Sequence, residues 1–316
     1  MKPFSCIALC VAYIAACEEP FSPKGPYEER LVVYGILTNS TDTQYVRVFK
    51  TYNPPGNSPL ENVVDQPVRG ATVVVTQGAA YEGFGETTIP RIDKSRYSDD
   101  ITAYAAYSFP VQPGKTYELT VLAGELGRIG STVIVPERGH VYVANPRVLR
   151  GEGGEKENLF VVAYVQQGTR AFIIQFYLDY EVLANGVWTR YRIEVPIGVQ
   201  HVDDTQNVFS YPKLERRVSS PEFAGDDAVE SSVFSKAAYE AKRKELNTLY
   251  SANHRVVGAL FVLTQVEQNL YTYYSRVNGF LDEYSIRGDL PDWSNITGGY
   301  GVFGAMVKDS TYVHLW

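Results

Sequence analysis

The strongest constraint on the fold is a period-two alternation that runs through residues 171–196 and reverses at a single Asn-Gly pair. Phe172, Ile174, Phe176, Leu178 and Tyr180 share one side of an extended chain, opposite Gln175, Asp179 and Glu181. Successive side chains of a strand point to opposite faces, so this spacing buries one face and wets the other. Asn185-Gly186 supplies the two positive φ angles of a type I′ turn. It joins residues 171–184 to a return arm, 187–196, where Tyr191, Ile193 and Val195 alternate with Arg190, Arg192 and Glu194. One long hairpin with an apolar face needs a second layer to cover that face.

Shorter stretches repeat the pattern. In Gln44–Lys50, Val46 and Val48 face one way, while Tyr45, Arg47 and Phe49 face the other. Similar strands are expected at 71–76, 116–122 and 131–135, separated by the turn-formers Asn53-Pro54-Pro55-Gly56-Asn57, Gln77-Gly78 and Pro113-Gly114. The 24 Tyr against 2 Met, and the abundance of Val and Thr, suit half-buried pleated surfaces. The expected class is therefore mainly β, and 316 residues suffice for two cores. The first is a β-sandwich over 30–137. The second, 138–316, is a β-rich domain with two helices, and the charged loop Gly151–Lys156 lies just after the boundary.

One helix is expected near 235–251, with Tyr239, Leu246, Leu249 and Tyr250 on its apolar stripe and Glu240 four residues before Lys244. The other, near 267–278, carries Leu270, Tyr273, Tyr274 and Val277, and the β-like run Arg255–Gln265 feeds it.

Residues 1–16 read as a signal peptide, with a positive charge at Lys2 and an apolar run from Ile7 to Ala16. That run is too short to cross the roughly 30 Å hydrocarbon layer as a helix. Ile14-Ala15-Ala16-Cys17 resembles the bacterial lipobox, which implies a diacylated Cys17 as the first mature residue. Cys6 and Cys10 leave with the signal, so Cys17 has no intramolecular disulfide partner, and acylation would consume its thiol. Residues 17–29 form a tether in which Pro20, Pro23, Gly25 and Pro26 oppose regular structure. The expected location is the outer membrane, lipid-anchored, on its periplasmic or surface side.

Charge and motif narrow the function. The formal charge of −7 offers no basic face for releasing counterions from nucleic acid, so no nucleic-acid partner is expected. His140, His201, His254 and His314 are scattered without ligand spacing; the nearest approach to a metal site is His201 with Asp203. Asp99-Asp100 and Asp226-Asp227 form no calcium loop, and no G-x-S-x-G elbow occurs. Gly299, Gly301 and Gly304 spell G-x-G-x-x-G, but too little chain follows for a dinucleotide fold, and a terminal strand with close backbone approach is expected instead. No metal, cofactor or catalytic residue is assigned. Paired acids for hydrolysis need a spatial separation that sequence does not reveal.

Aromatic residues are the remaining handle. Trp188 lies opposite Tyr191, Ile193 and Val195 on its strand, hence on the outer face if those three are core. There it can stack on a glycan or anchor a protein, unless a neighbouring domain or helix covers it. Trp293, beside Asp292 and Asn295, is a second candidate platform.

Residues 68–75, 107–109 and 113–119 resemble the immunoglobulin-like and transthyretin-like modules of exported proteins. Taken with the lipobox, the strand Leu31–Thr38, the Tyr271–Tyr274 helix and the tail Ser294–Ala305, the chain resembles the Bacteroidota lipoprotein family called domain of unknown function 4249. That resemblance implies an outer-membrane lipoprotein associated with TonB-dependent receptors, and it brings no catalytic residues. The expectation is a non-enzymatic accessory or binding subunit. A surface glycan- or nutrient-binding lipoprotein is the alternative, and a cell-envelope hydrolase the third.

Overall fold

The computed structural model describes residues 26–53, 64–95, 97–152, 154, 157–201, 207–217, 228–277 and 293–315. The signal segment, Cys17 and the first part of the tether lie outside these residues, as do Asp203, Asp204, Asp226 and Asp227.

The first half supplies β1 (Leu31–Thr38), β2 (Gln44–Lys50), β3 (Thr72–Gln77), β4 (Ala80–Ile89), β5 (Ile101–Ala106), β6 (Thr116–Leu122) and β7 (Arg128–Ile134). The second supplies β8 (His140–Val143), β9 (Leu159–Val165), β10 (Ala171–Ala184), β11 (Val187–Val195), β12 (Gly198–His201), β13 (Asn207–Ser210), β14 (Glu215–Arg216) and β15 (Ala228–Phe234). Then follow α1 (Lys236–Tyr250), β16 (His254–Val266), α2 (Gln268–Val277) and β17 (Tyr300–His314). The protein is mainly β.

One large sheet runs β11-β10-β16-β17-β1-β2-β5-β4-β3-β6-β7, with β14 on the side of β10. Along β4, residues up to Phe84 pair with β3, while those from Gly85 pair with β5. The sheet folds back there. Val33, Val46 and Val48 from one arm meet Val73, Tyr117, Leu119 and Val121 from the other in a closed core. A second sandwich forms where the sheet β15-β9-β8 faces β10 and β16. At its centre Phe176 stacks on Phe261 with ring centroids 4.5 Å apart and meets Phe234 edge-on at 5.6 Å.

The tail is what joins the two. Over Tyr300–Met306, β17 pairs parallel with β1, and over Met306–His314 it pairs antiparallel with β16. Phe303, Ala305 and Val307 fill the first core, and Val313 packs against the second. Residues 135–139 connect β7 to β8, and β17 contributes to the cores on both sides of that connection. Buried Gln265 ties that connection down: Nε2 donates to the Glu137 carbonyl at 2.9 Å, while Oε1 accepts from the Gln166 N–H at 2.8 Å.

Both helices form where the spacing places them. Ser235 caps α1, its Oγ accepting from the Ala238 N–H at 3.4 Å. One stripe position fails: Leu249 is 63% exposed, because the last turn directs Tyr250 toward Tyr180.

Glu267 links β16 to α2 and is 4% exposed. Its Oε1 accepts from the Leu270 N–H at 2.7 Å, and Oε2 accepts from Asn269, satisfying the open donors of the first turn. Gly304 lies against this corner, where a Cβ would stand 2.9 Å from Glu267 Oε1 and 2.8 Å from Leu270 Cβ.

Burial pushes the Glu267 carboxyl up to about 6, against the pull of those N–H bonds. An acid raised on folding binds its proton more tightly in the native state. Its contribution to stability is therefore full below the unfolded value and is lost as pH rises through about 6. We expect Glu267→Gln to abolish a loss of about 2 kcal/mol between pH 4.5 and 7. Urea midpoints of both proteins across that range check this; parallel curves would contradict it.

Candidate functional site

The hairpin directs its polar alternation outward, onto the face of β11-β10-β16-β17 opposite the second core. Register sets Asp179 against Arg192, Glu181 against Arg190, and Leu183 against Trp188. β16 contributes Leu260 and Val262 beside Tyr177 and Gln175, and β17 adds Lys308, Ser310 and Tyr312. A register shift at Asp179/Tyr180 then brings Arg255 opposite Glu181 on this same face.

At its centre is Asp179, whose side chain is 2% exposed. Arg190 Nη2 donates to Oδ2 at 2.6 Å. Arg192 donates through Nε to Oδ1 at 2.7 Å and through Nη2 to Oδ2 at 3.1 Å, a two-pronged contact. Arg190 also donates to the Tyr312 hydroxyl at 2.7 Å, and the Tyr312 ring occupies the space above Gly258 where a Cβ would stand. Burial alone would raise the Asp179 carboxyl, but the Arg192 and Arg190 contacts outweigh it and hold the group below the ordinary carboxylate range. Two guanidinium groups against one carboxylate leave a net positive cluster, with both arginine side chains about half exposed.

Trp188 lies further along the same face. The Arg255 guanidinium stands 4.5 Å over its ring and is itself held by Glu181 at 2.6 Å, so one side of the indole is already occupied. Trp188 remains 40% exposed. Beyond the Asp179 cluster, Tyr177, Arg192, Leu260, Val262, Lys308 and Ser310 line an open depression of about 380 Å³. The whole is a set of aromatic and arginine side chains fixed by buried or paired acids, suited to recognition.

Residues 18–311 match a family model described as Domain of unknown function (DUF4249). The chain belongs to the DUF4249 family. The match spans both sandwiches and most of the strand that joins them. No curated protein shows significant similarity to this DUF4249 chain. Among solved structures it is similar to the C-terminal globular domain of an oligosaccharyltransferase (PaAglB-L) from Pyrococcus abyssi. The identity is 10% and the TM-score 0.26, with 78% of this chain and 50% of that chain covered. The DUF4249 chain thus spans half the length of that protein, and so loose a superposition carries no argument about fold or function.

The two candidate tryptophans, Trp188 and Trp293, differ in their surroundings in this DUF4249 protein. Trp188 faces outward, opposite the fully buried Val195 and the part-buried Ile193, but Tyr191 is not core: it is 48% exposed, stacked on Tyr180. Trp293 is not an open loop platform: it is half-buried in the cluster that α2 forms with Tyr34, Ile36, Leu270, Val302 and Tyr273. Its polar neighbours in sequence concealed an apolar contact made by a distant helix.

His140, His254 and His314 have local partners. His140 Nδ1 lies 3.4 Å from Asp309 Oδ2, His254 Nδ1 donates to the Ser251 carbonyl at 2.8 Å, and His314 packs on the Tyr312 ring. Among the described residues, no three His, Cys, Asp or Glu side chains converge as a metal site. Half of the Asp179 cluster was readable from the Asn185-Gly186 register, which aligns Asp179 with Arg192. Tyr312 was not, because only the long-range pairing of β16 with β17 brings it there.

Proposed function

We propose that this DUF4249 protein is a non-enzymatic binding lipoprotein of the outer membrane. In this reading Cys17 carries the anchor, and the outer face of β11-β10-β16-β17 engages a protein partner such as an outer-membrane receptor. The observation that carries it is the prearranged Trp188–Arg255–Glu181 and Asp179–Arg190–Arg192–Tyr312 groups on one face, with Trp188, Arg190 and Arg192 exposed. Trp, Tyr and Arg dominate protein-binding hot spots, and side chains already fixed lose less freedom on association. A protein partner is favoured over a glycan because Trp293 is engaged under α2 and one side of Trp188 holds Arg255.

The buried acids have structural duties that favour binding over hydrolysis. Asp179 serves two arginines, Glu267 a helix start, and Asp309 both Arg138 and the Val141 N–H.

The test is affinity capture from detergent-solubilised outer membranes with the acylated protein and its Trp188→Ala/Arg192→Ala variant. The native protein is expected to recover one stoichiometric membrane partner, and the variant to bind it at least about tenfold more weakly. Leu249→Ser, on an exposed turn of α1, serves as the control. Equal recovery by the double variant, or no stoichiometric partner, contradicts the proposal.

A further inference from the structure

A second concavity, of about 410 Å³, opens where α1, the 3-10 turn Pro146–Arg150 and the first residues of β16 meet. Its lining includes the apolar side chains of Leu149, Val256 and Leu315 among polar ones. Tyr239 makes one wall: its hydroxyl donates to the Leu149 carbonyl at 2.8 Å, and Arg243 stands 5.7 Å over its ring. The charged side chains lining the pocket are Arg150, Arg243 and Arg255, with His254 and Asn247 beside them, and no carboxylate lines it.

The local charge is unbalanced. Glu181 neutralises Arg255 at 2.6 Å, but among the described residues neither Arg150 nor Arg243 has an acidic partner. The acids of α1 are directed elsewhere, Glu245 to Lys242 at 2.7 Å and Glu240 to Lys236 at 3.8 Å. In a chain with 36 acidic against 29 basic residues, a concave surface with two exposed guanidinium groups and no carboxylate favours an anion. The volume suits a small molecule, and the apolar side chains suit its uncharged part.

We propose that this pocket binds a small organic anion through a carboxylate, phosphate or sulfate group. The planar forks of Arg150 and Arg243 grip the charged oxygens, Asn247 adds a neutral donor, and Leu149, Val256 and Leu315 take the apolar remainder. The pocket meets the partner-binding face at Arg255, and its test leaves that residue in place because it also stacks on Trp188.

The experiment is thermal unfolding and isothermal calorimetry of the mature protein with inorganic phosphate, sulfate, acetate or benzoate, against chloride at matched ionic strength. At least one of the four is expected to raise Tm by about 2 °C or more at saturation. The Arg150→Gln/Arg243→Gln variant is expected to lose at least tenfold in affinity. The ranking separates the sources: phosphate and sulfate leading means a tetrahedral oxyanion, and benzoate leading means a carboxylate on an apolar body. Should the glutamine pair fold poorly, Arg150→Lys/Arg243→Lys keeps the charge without the fork and is expected to bind at least fivefold more weakly. Stabilisation no greater than that by chloride, or binding unchanged in the variant pair that folds, overturns the proposal.

Discussion

Gly301→Ala is expected to destabilise the protein by roughly 2–6 kcal/mol, and to do so across both sandwiches. Gly301 has φ +108°, a region that L side chains rarely enter, and a Cβ there would run into the Val33 carbonyl. Backbone strain of about 1–3 kcal/mol adds to overpacking of about 1–3 kcal/mol. The collision falls on the β1–β17 pairing, where Gly301 opposes Val33, and displacing β17 withdraws Phe303, Ala305 and Val307 from the first core. The same strand pairs with β16 beside the second core, so the damage should not stay local. Gly85→Ala is the control, since nothing lies within 4 Å of a Cβ at that position. Denaturant unfolding followed by fluorescence and circular dichroism checks both; a Gly301→Ala effect below about 0.5 kcal/mol would contradict this role for β17.

The hairpin was legible because its information is local. Alternation fixed which residues of β10 face the core, and the turn takes up positive φ at Asn185 (52°) and Gly186 (77°) as its sequence demands. The helices were legible for the same reason: helical spacing acts within a few residues. What could not be read was pairing between distant segments. The tail from Val302 to Val307 is mostly buried, so its pattern does not announce that β1 flanks it on one edge and β16 on the other. Trp293 and Tyr312 owe their places to that pairing. Trp188, by contrast, needed only the alternation of its own strand.

The other large effect is expected at the proposed anchor. Cys17→Ser is expected to move most of the protein from the membrane fraction to the soluble one. Each acyl methylene buried is worth about 0.8 kcal/mol, and two or more chains hold firmly where one does not. Nothing else in the chain is expected to take over. Among the described residues no helix is long and apolar enough to cross a membrane, and the thiols at Cys6 and Cys10 belong to the segment expected to be removed. Sodium carbonate extraction of membranes from cells expressing either protein measures the partition. Mass spectrometry of the native N-terminal peptide then puts the anchored-binder account to its most direct test. The account predicts a mature chain that starts at Cys17 with a diacylglyceryl group on its sulfur; an unmodified thiol at that position would contradict it.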